Sequence, residues 1–148
     1  HDYTREALVR LGGTVDFWRA RIRPGGPIGT GQIGGVAWLG LPGNPVSSMV
    51  TATLFAWPML RRMGGHSHVA HRRLSVTMRD RYETPATLTY FLRVALERRD
   101  DGGYDARLAG AQGSNLLHTM ADADALLVVP ESHSAALPGS TYDAVLLP

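Results

Sequence analysis

At 148 residues with 44% hydrophobic side chains, the chain has enough apolar surface for one ordinary core or two small ones. It contains no cysteine, and all 15 of its basic residues are arginine, so thiolate catalysis, disulfides, cysteine metal sites and a lysine nucleophile are excluded. A formal charge of +2, a pI near 9.4 and no basic run longer than two residues allow an anionic ligand without calling for nucleic acid. No signal peptide and no membrane-length apolar stretch is evident, which makes a cytoplasmic location the expectation. The chain opens at His1, and Asp2-Tyr3-Thr4 leads at once into a helical pattern, which reads as a fragment of a longer protein.

Ala7, Leu8 and Leu11 fall at helical spacing, and Gly12-Gly13 is the stop. From 14 to 22 the period shortens to two, predicting a strand with Arg19, Arg21 and Arg23 on one face. Pro24-Gly25-Gly26-Pro27 is a turn or loop. A strand from Val36 to Leu41, apolar on both faces, is expected inside a sheet covered by helices. Leu41-Pro42-Gly43-Asn44-Pro45-Val46-Ser47-Ser48 then starts a helix running to about Met63, with Asn44 as N-cap and Pro45 at the first helical position. Pro58 is expected to kink that helix or end it early.

Residues 66–71 read as a linker between an α/β part, 1–65, and an all-β part, 72–148. In the second part Leu74, Val76 and Met78 alternate, as do Leu88, Tyr90, Leu92, Val94 and Leu96. Asp100-Asp101-Gly102-Gly103 signals a hairpin into Tyr104–Leu108. Further strands are expected at Ala125–Val129 and at 141–147, with a helical turn around 116–120. The fold expected is a partial α/β domain followed by a small β-barrel-like domain.

The turn from Pro42 to Pro45 is the strongest local feature. A helix N-terminus offers unpaired N–H groups and partial positive charge, Gly43 allows close backbone approach, and Ser47 or Ser48 adds a hydroxyl. Most such turns bind nothing, so on spacing alone a rigid connector is the leading reading. The stripe of Arg19, Arg21 and Arg23 is an anion site or a solvated edge; Arg93, opposite Leu92 and Val94, is an anion ligand or lines the solvent side of the barrel. The 110–115 loop, with Gln112 and Ser114, could wrap an oxyanion or be a plain turn. Asp2 and Asp16 are weak candidates for Mg²⁺, Asp2 serving equally as a helix cap. His66, His68 and His71 suggest zinc by proximity, but they lack a fourth ligand, and an unoccupied linker is favoured.

The run 41–47, with Thr53, Phe55, Pro58, Leu60, Met63 and Gly65 behind it, resembles molybdopterin molybdenumtransferases, the family of bacterial MoeA and the gephyrin E domain. Asp2-Tyr3-Thr4, the 23–27 loop, the 110–114 loop and the strand 125–130 are similar to further segments of that family, in the same order. The resemblance implies the C-terminal part of a molybdopterin-binding, adenylyltransferase-like domain followed by a β-barrel-like domain. It implies an enzyme of molybdenum cofactor biosynthesis that combines molybdate with adenylylated molybdopterin, releasing AMP, with Mg²⁺ or a similar ion. It also implies a homodimer for the complete protein and a molybdopterin adenylyltransferase as a candidate partner. Residue by residue, Asp2 matches a catalytic and metal-positioning carboxylate, and Pro42 and Pro45 match the prolines that shape the turn. Ser47, Arg93 and Ser114 fall where the family binds molybdate, and Arg19 and Arg23 match basic positions often occupied by lysine. The fragment is expected to be inactive alone. A non-catalytic scaffold of the same fold is the main alternative; an RNA-binding β domain ranks last, for want of exposed aromatics beyond Tyr82, Tyr90 and Phe91.

Overall fold

The first helix ends because its next residue can turn the wrong way round. In the computed structural model, which describes residues 3–148, α1 (Thr4–Arg10) gives way at Leu11 to Gly12, whose φ of +81° costs a residue with a side chain about 1–2 kcal/mol. The Gly13 N–H then donates to the Leu8 carbonyl at 2.8 Å. β1 (Thr14–Trp18) follows, and beyond β2 (Ile22–Arg23) come β3 (Gly29–Ile33) and β4 (Val36–Gly40). β1, β3 and β4 make an antiparallel sheet with β3 in the middle.

Two expectations change here. The strand from 14 does not reach Ile22: it breaks at Arg19, the one described non-glycine residue at positive φ (91°). The N–H groups of Arg19 and Ala20 turn to the carbonyls of Ile28 and Gly26 instead, at 2.8 and 2.9 Å. A period of two in polarity is equally compatible with a looped extended segment, and the 24–27 turn folds this one back on itself. The arginine stripe is therefore dispersed. Arg21 bonds the Thr87 carbonyl and meets Glu131 at 3.3 Å, while Arg23 lies over the Tyr90 ring, 5.9 Å from its centroid. Second, β4 is an edge strand with Val36 66% exposed, not a covered one. Apolar content on both faces marks a strand fit for burial, but the covering element has to come from elsewhere.

The long helix starts at Pro45 as expected and survives Pro58. α2 (Pro45–Thr51) passes into a π turn, Ala52–Ala56, and then into α3 (Trp57–Met63). Proline has no N–H, and its ring crowds the carbonyl four residues back. A wider i→i+5 turn ahead of it makes room, so the helix continues. α2 buries Val46 and Val50 against Leu126, Val145 and Met120, on the outside of the second part. Gly25, at φ +107°, lies so close to α2 that a Cβ there would come within 2.4 Å of the Thr51 methyl.

Residues 66–72 contain no helix or strand, and beyond them five strands close a barrel. β5 (Arg73–Met78) lies between β11 (Thr141–Leu146) and β8 (Tyr104–Leu108). β8 continues to β7 (Thr89–Arg98), β7 to β9 (Ala125–Val129), and β9 back to β11. The alternating residues fill it: Val76, Met78, Tyr90, Leu92, Val94, Leu127 and Val129 are all at most 4% exposed. A two-stranded patch, β6 (Tyr82–Glu83) with β10 (Ala135–Ala136), lies apart, and α4 (His118–Ala121) is the expected short helical turn. β2 adds to the barrel sheet in parallel, pairing Ile22 and Arg23 with Thr89 and Tyr90. β8 pairs with β7 from Val94 onward, so the β7 stretch between these two partners has neither beside it.

Val50→Ala should cost about 2 kcal/mol, from two lost methyl groups and the hole they leave, and Gly25→Ala about 1–3 kcal/mol from overpacking on Thr51. Both are measurable as lower urea midpoints at unchanged slope. At the β7–β8 hairpin the Gly103 N–H (2.9 Å), and then Arg99 (3.1 Å), hold the Asp101 carboxyl below the usual aspartate value. A depressed folded pKa gives stability that is present above the unfolded pKa and lost as pH falls through the folded one. Acid unfolding of Asp101→Asn should accordingly lack that small component, seen as convergence with wild type at low pH.

Candidate oxyanion site

Position 93 faces outward from the barrel, as its alternation with Leu92 and Val94 requires, yet it does not meet solvent. The 110–114 loop and α4 cover it, and Arg93 has 0% exposure. Its Nε donates to the Thr119 hydroxyl at 2.7 Å, and Nη2 donates to the carbonyls of Ala111 and Gly113, both at 3.1 Å. Nη1 is buried with no hydrogen-bond partner. Among the described residues, no carboxylate forms an ion pair with this guanidinium. Burial draws the Arg93 pKa below the usual arginine value, with Tyr82 opposing. An unpaired buried cation costs several kcal/mol by desolvation, so the position calls for a negative partner.

A small cavity of about 130 Å³ adjoins this side chain, lined by Arg23, Pro24, Tyr90, Gln112 and Ser114 among others. It lies against β7 where β2 and β8 leave that strand unaccompanied. Gln112 fills part of the gap: its Oε1 accepts the Arg93 N–H at 2.8 Å, and its Nε2 donates to the carbonyls of Arg93 and Gly110. The amide thus stands in for a strand neighbour and is committed to backbone, which makes Gln112 an anchor of the loop. Ser114 accepts a 3.3 Å hydrogen bond from Asn44 Nδ2, and Asn44 Oδ1 is buried and unpartnered. Asn44 does hold the N-cap position, but its side chain makes no cap bond; it reaches across to the loop instead.

The other candidates divide. Ser47 is 7% exposed on α2, one turn before Thr51, whose hydroxyl donates to the Ser47 carbonyl at 2.7 Å. Pro42 is buried, whereas Gly43 and Pro45 are exposed, and a Cβ on Gly43 would meet nothing within 4 Å. Arg19 does not join the cavity; it lines a separate open groove with Arg5, Arg10 and Trp18. Asp16 is exposed on β1. Asp2 lies outside the described residues. The histidines do not converge: His71 bonds the Thr53 carbonyl at 2.8 Å and stacks on Trp57, and His68 bonds Ser67. No group of three metal-ligating side chains gathers among the described residues. Thr119 and Tyr82 are the contributors that sequence reasoning missed. Thr119 belongs to a four-residue helix too short for a periodic signal, and Tyr82 to a two-residue strand.

Comparison with known proteins bears on the family of the chain. Residues 75–147 match the family described as the MoeA C-terminal region (domain IV), and residues 1–62 match the probable molybdopterin binding domain. The chain belongs to the MoeA family. It is 34% identical over 149 residues to molybdopterin molybdenumtransferase 1 of Mycobacterium tuberculosis, a match covering 97% of the chain and 35% of the relative. It is 29% identical to gephyrin of Dictyostelium discoideum over 99% of the chain and 23% of that protein. The crystal structure of a molybdopterin biosynthesis MoeA protein from Pyrococcus horikosii superposes with a TM-score of 0.77 at 25% identity, over 98% of the chain and 34% of that structure. The chain therefore spans between about a quarter and about a third of the length of these relatives. No helix among the described residues is long and apolar enough to cross a membrane.

Removing the Arg93 side chain would take the donor from the Thr119 oxygen and from two carbonyls beneath the loop. Arg93→Ala should destabilise the chain by about 2–4 kcal/mol. Amide hydrogen exchange should localise the loosening to 110–120 while the strands β5 and β11 keep their protection.

Proposed function

We propose that the cavity beside Arg93 takes molybdate, and that the complete protein inserts it into adenylylated molybdopterin with release of AMP. The observation that carries this reading is the buried guanidinium with an uncommitted Nη1 and, among the described residues, no carboxylate paired to it. A unit charge 4 Å away at an effective dielectric near 20 interacts by about 4 kcal/mol, and a dianion by more. Such a cation attracts an oxyanion strongly while its three fixed hydrogen bonds hold it still.

Each side chain has a separate part in this reading. Arg93 supplies charge, Ser114 a hydroxyl on the loop, and Arg23 a second cation at the rim beside the Tyr90 ring. Asn44, at the start of α2, reaches Ser114 on the loop, and a helix N-terminus favours anions; Ser47 enters this reading from family likeness. Since Arg93 has no exposed surface, direct contact requires the 111–114 loop to lift, breaking the hydrogen bond from Asn44 to Ser114 and those that join Ala111, Gln112 and Gly113 to Arg93. Pro42 and Pro45 fix where Asn44 starts. The carboxylates a divalent ion would need do not assemble among the described residues, so no step is assigned to Mg²⁺; Asp2 stands as its candidate. The same reading carries the division at 66–71, a homodimer, a cytoplasmic location, an adenylyltransferase partner and a basic role for Arg19 as proposals from family likeness.

Calorimetric titration of molybdate into the chain, with sulfate as competitor, tests the site. Saturable binding should weaken about tenfold in Ser114→Ala and more in Arg93→Lys, which keeps the charge and loses the planar fork. Molybdate binding that is undiminished by either substitution would overturn the assignment.

A further inference from the structure

Arginine presents five N–H hydrogens in one plane, and where the uncommitted ones point depends on what the others are fixed to. In Arg93 two of the three fixed bonds go to loop carbonyls, which shift whenever the 111–114 loop moves. The third goes to a side chain on a different element. We propose that Thr119 is the positioning residue for Arg93, holding the guanidinium plane in place while the loop opens for an oxyanion. The inference rests on the oxyanion reading of the cavity.

The chemistry of the contact favours this role. The Thr119 hydroxyl has a single proton, and it is donated to the Leu116 carbonyl at 2.7 Å. That commitment turns an oxygen lone pair, not the proton, toward Arg93 Nε, which donates to it at 2.7 Å. Thr119 has 0% exposure, so no water competes for either bond. Its methyl group lies near Gly110, where an added Cβ would come 3.3 Å from it, at the point where the loop leaves β8 and Gly110 has φ +98°. With branching at Cβ restricting χ1, the side chain holds one rotamer. Next to it Met120 is packed with Val46, Val50, Leu126 and Val145, so α4 is anchored through the same apolar cluster as α2. When the loop lifts, Nε stays tied to an element seated in that core.

Thr119→Val keeps the shape and removes the acceptor; Thr119→Ser keeps the acceptor and removes the methyl. Molybdate titration should show binding about tenfold weaker in Thr119→Val, and within about threefold of wild type in Thr119→Ser. In ¹H–¹⁵N spectra the Arg93 Nε–H, identified by its loss in Arg93→Lys, should exchange slowly in wild type and Thr119→Ser and rapidly in Thr119→Val. Equal molybdate affinity in Thr119→Val and wild type, equal weakening by Ser and Val, or an Nε–H still protected in Thr119→Val would each overturn the proposal. If wild type binds no molybdate, the oxyanion reading fails, and the exchange measurement still decides whether Thr119 fixes the guanidinium. Should Thr119→Val not fold, Thr119→Cys takes its place, of similar volume with a sulfur that accepts only weakly.

Discussion

A cation enclosed by protein has to be compensated from inside, and that requirement at Arg93 organises everything around it. A guanidinium with no exposed surface and, among the described residues, no paired carboxylate would be costly enough to expel the side chain or displace its cover if its hydrogen bonds were not met. Here it is held by two loop carbonyls and a hydroxyl, which satisfy geometry without neutralising charge. Neutral acceptors are what a site for an anion needs, since a carboxylate in the same place would cancel the attraction. The 110–114 loop is in turn shaped by Arg93: the side chain gathers two of its carbonyls, and the backbone anchors it through Gln112.

The barrel supplies the platform by leaving a gap. β8 accompanies β7 only from Val94, and β2 accompanies it only at Thr89 and Tyr90. Had β8 run four residues further, main chain would occupy the place of the cavity. The inside of the barrel is filled with Met78, Leu92, Val94 and Leu127, and the cavity beside Arg93 lies on the outer face, beneath a loop. Interior packing and exterior chemistry are therefore alternate residues of one strand.

The helical part contributes by docking on that same outer face. Val46 and Val50 share a cluster with Leu126, Val145 and Met120, which sets the N-terminus of α2 beside the loop. Gly25 sits tightly against α2, and the adjoining Arg23 and Pro24 line the cavity. An apolar contact thereby positions three polar groups from distant parts of the chain: Asn44, Arg23 and Ser114.

Local chemistry alone determined much of this protein. Glycine after Leu11, the proline-framed turn before α2, and alternation in the strands of the second part are written in neighbouring residues, because conformational limits and side-chain period act over a few positions. The sequence also pointed to Arg23, Arg93, Gln112 and Ser114 as candidates, although it left each beside a plain structural reading. Only tertiary structure decided that Arg93 is buried and that Gln112 bonds backbone. It alone dispersed the arginines at 19, 21 and 23 and brought Thr119 into contact with Arg93. Val36 shows the same limit from the other side: its apolar strand is exposed at an edge. Burial and hydrogen-bond partnership depend on elements far apart in sequence, and no local period encodes which of them meet.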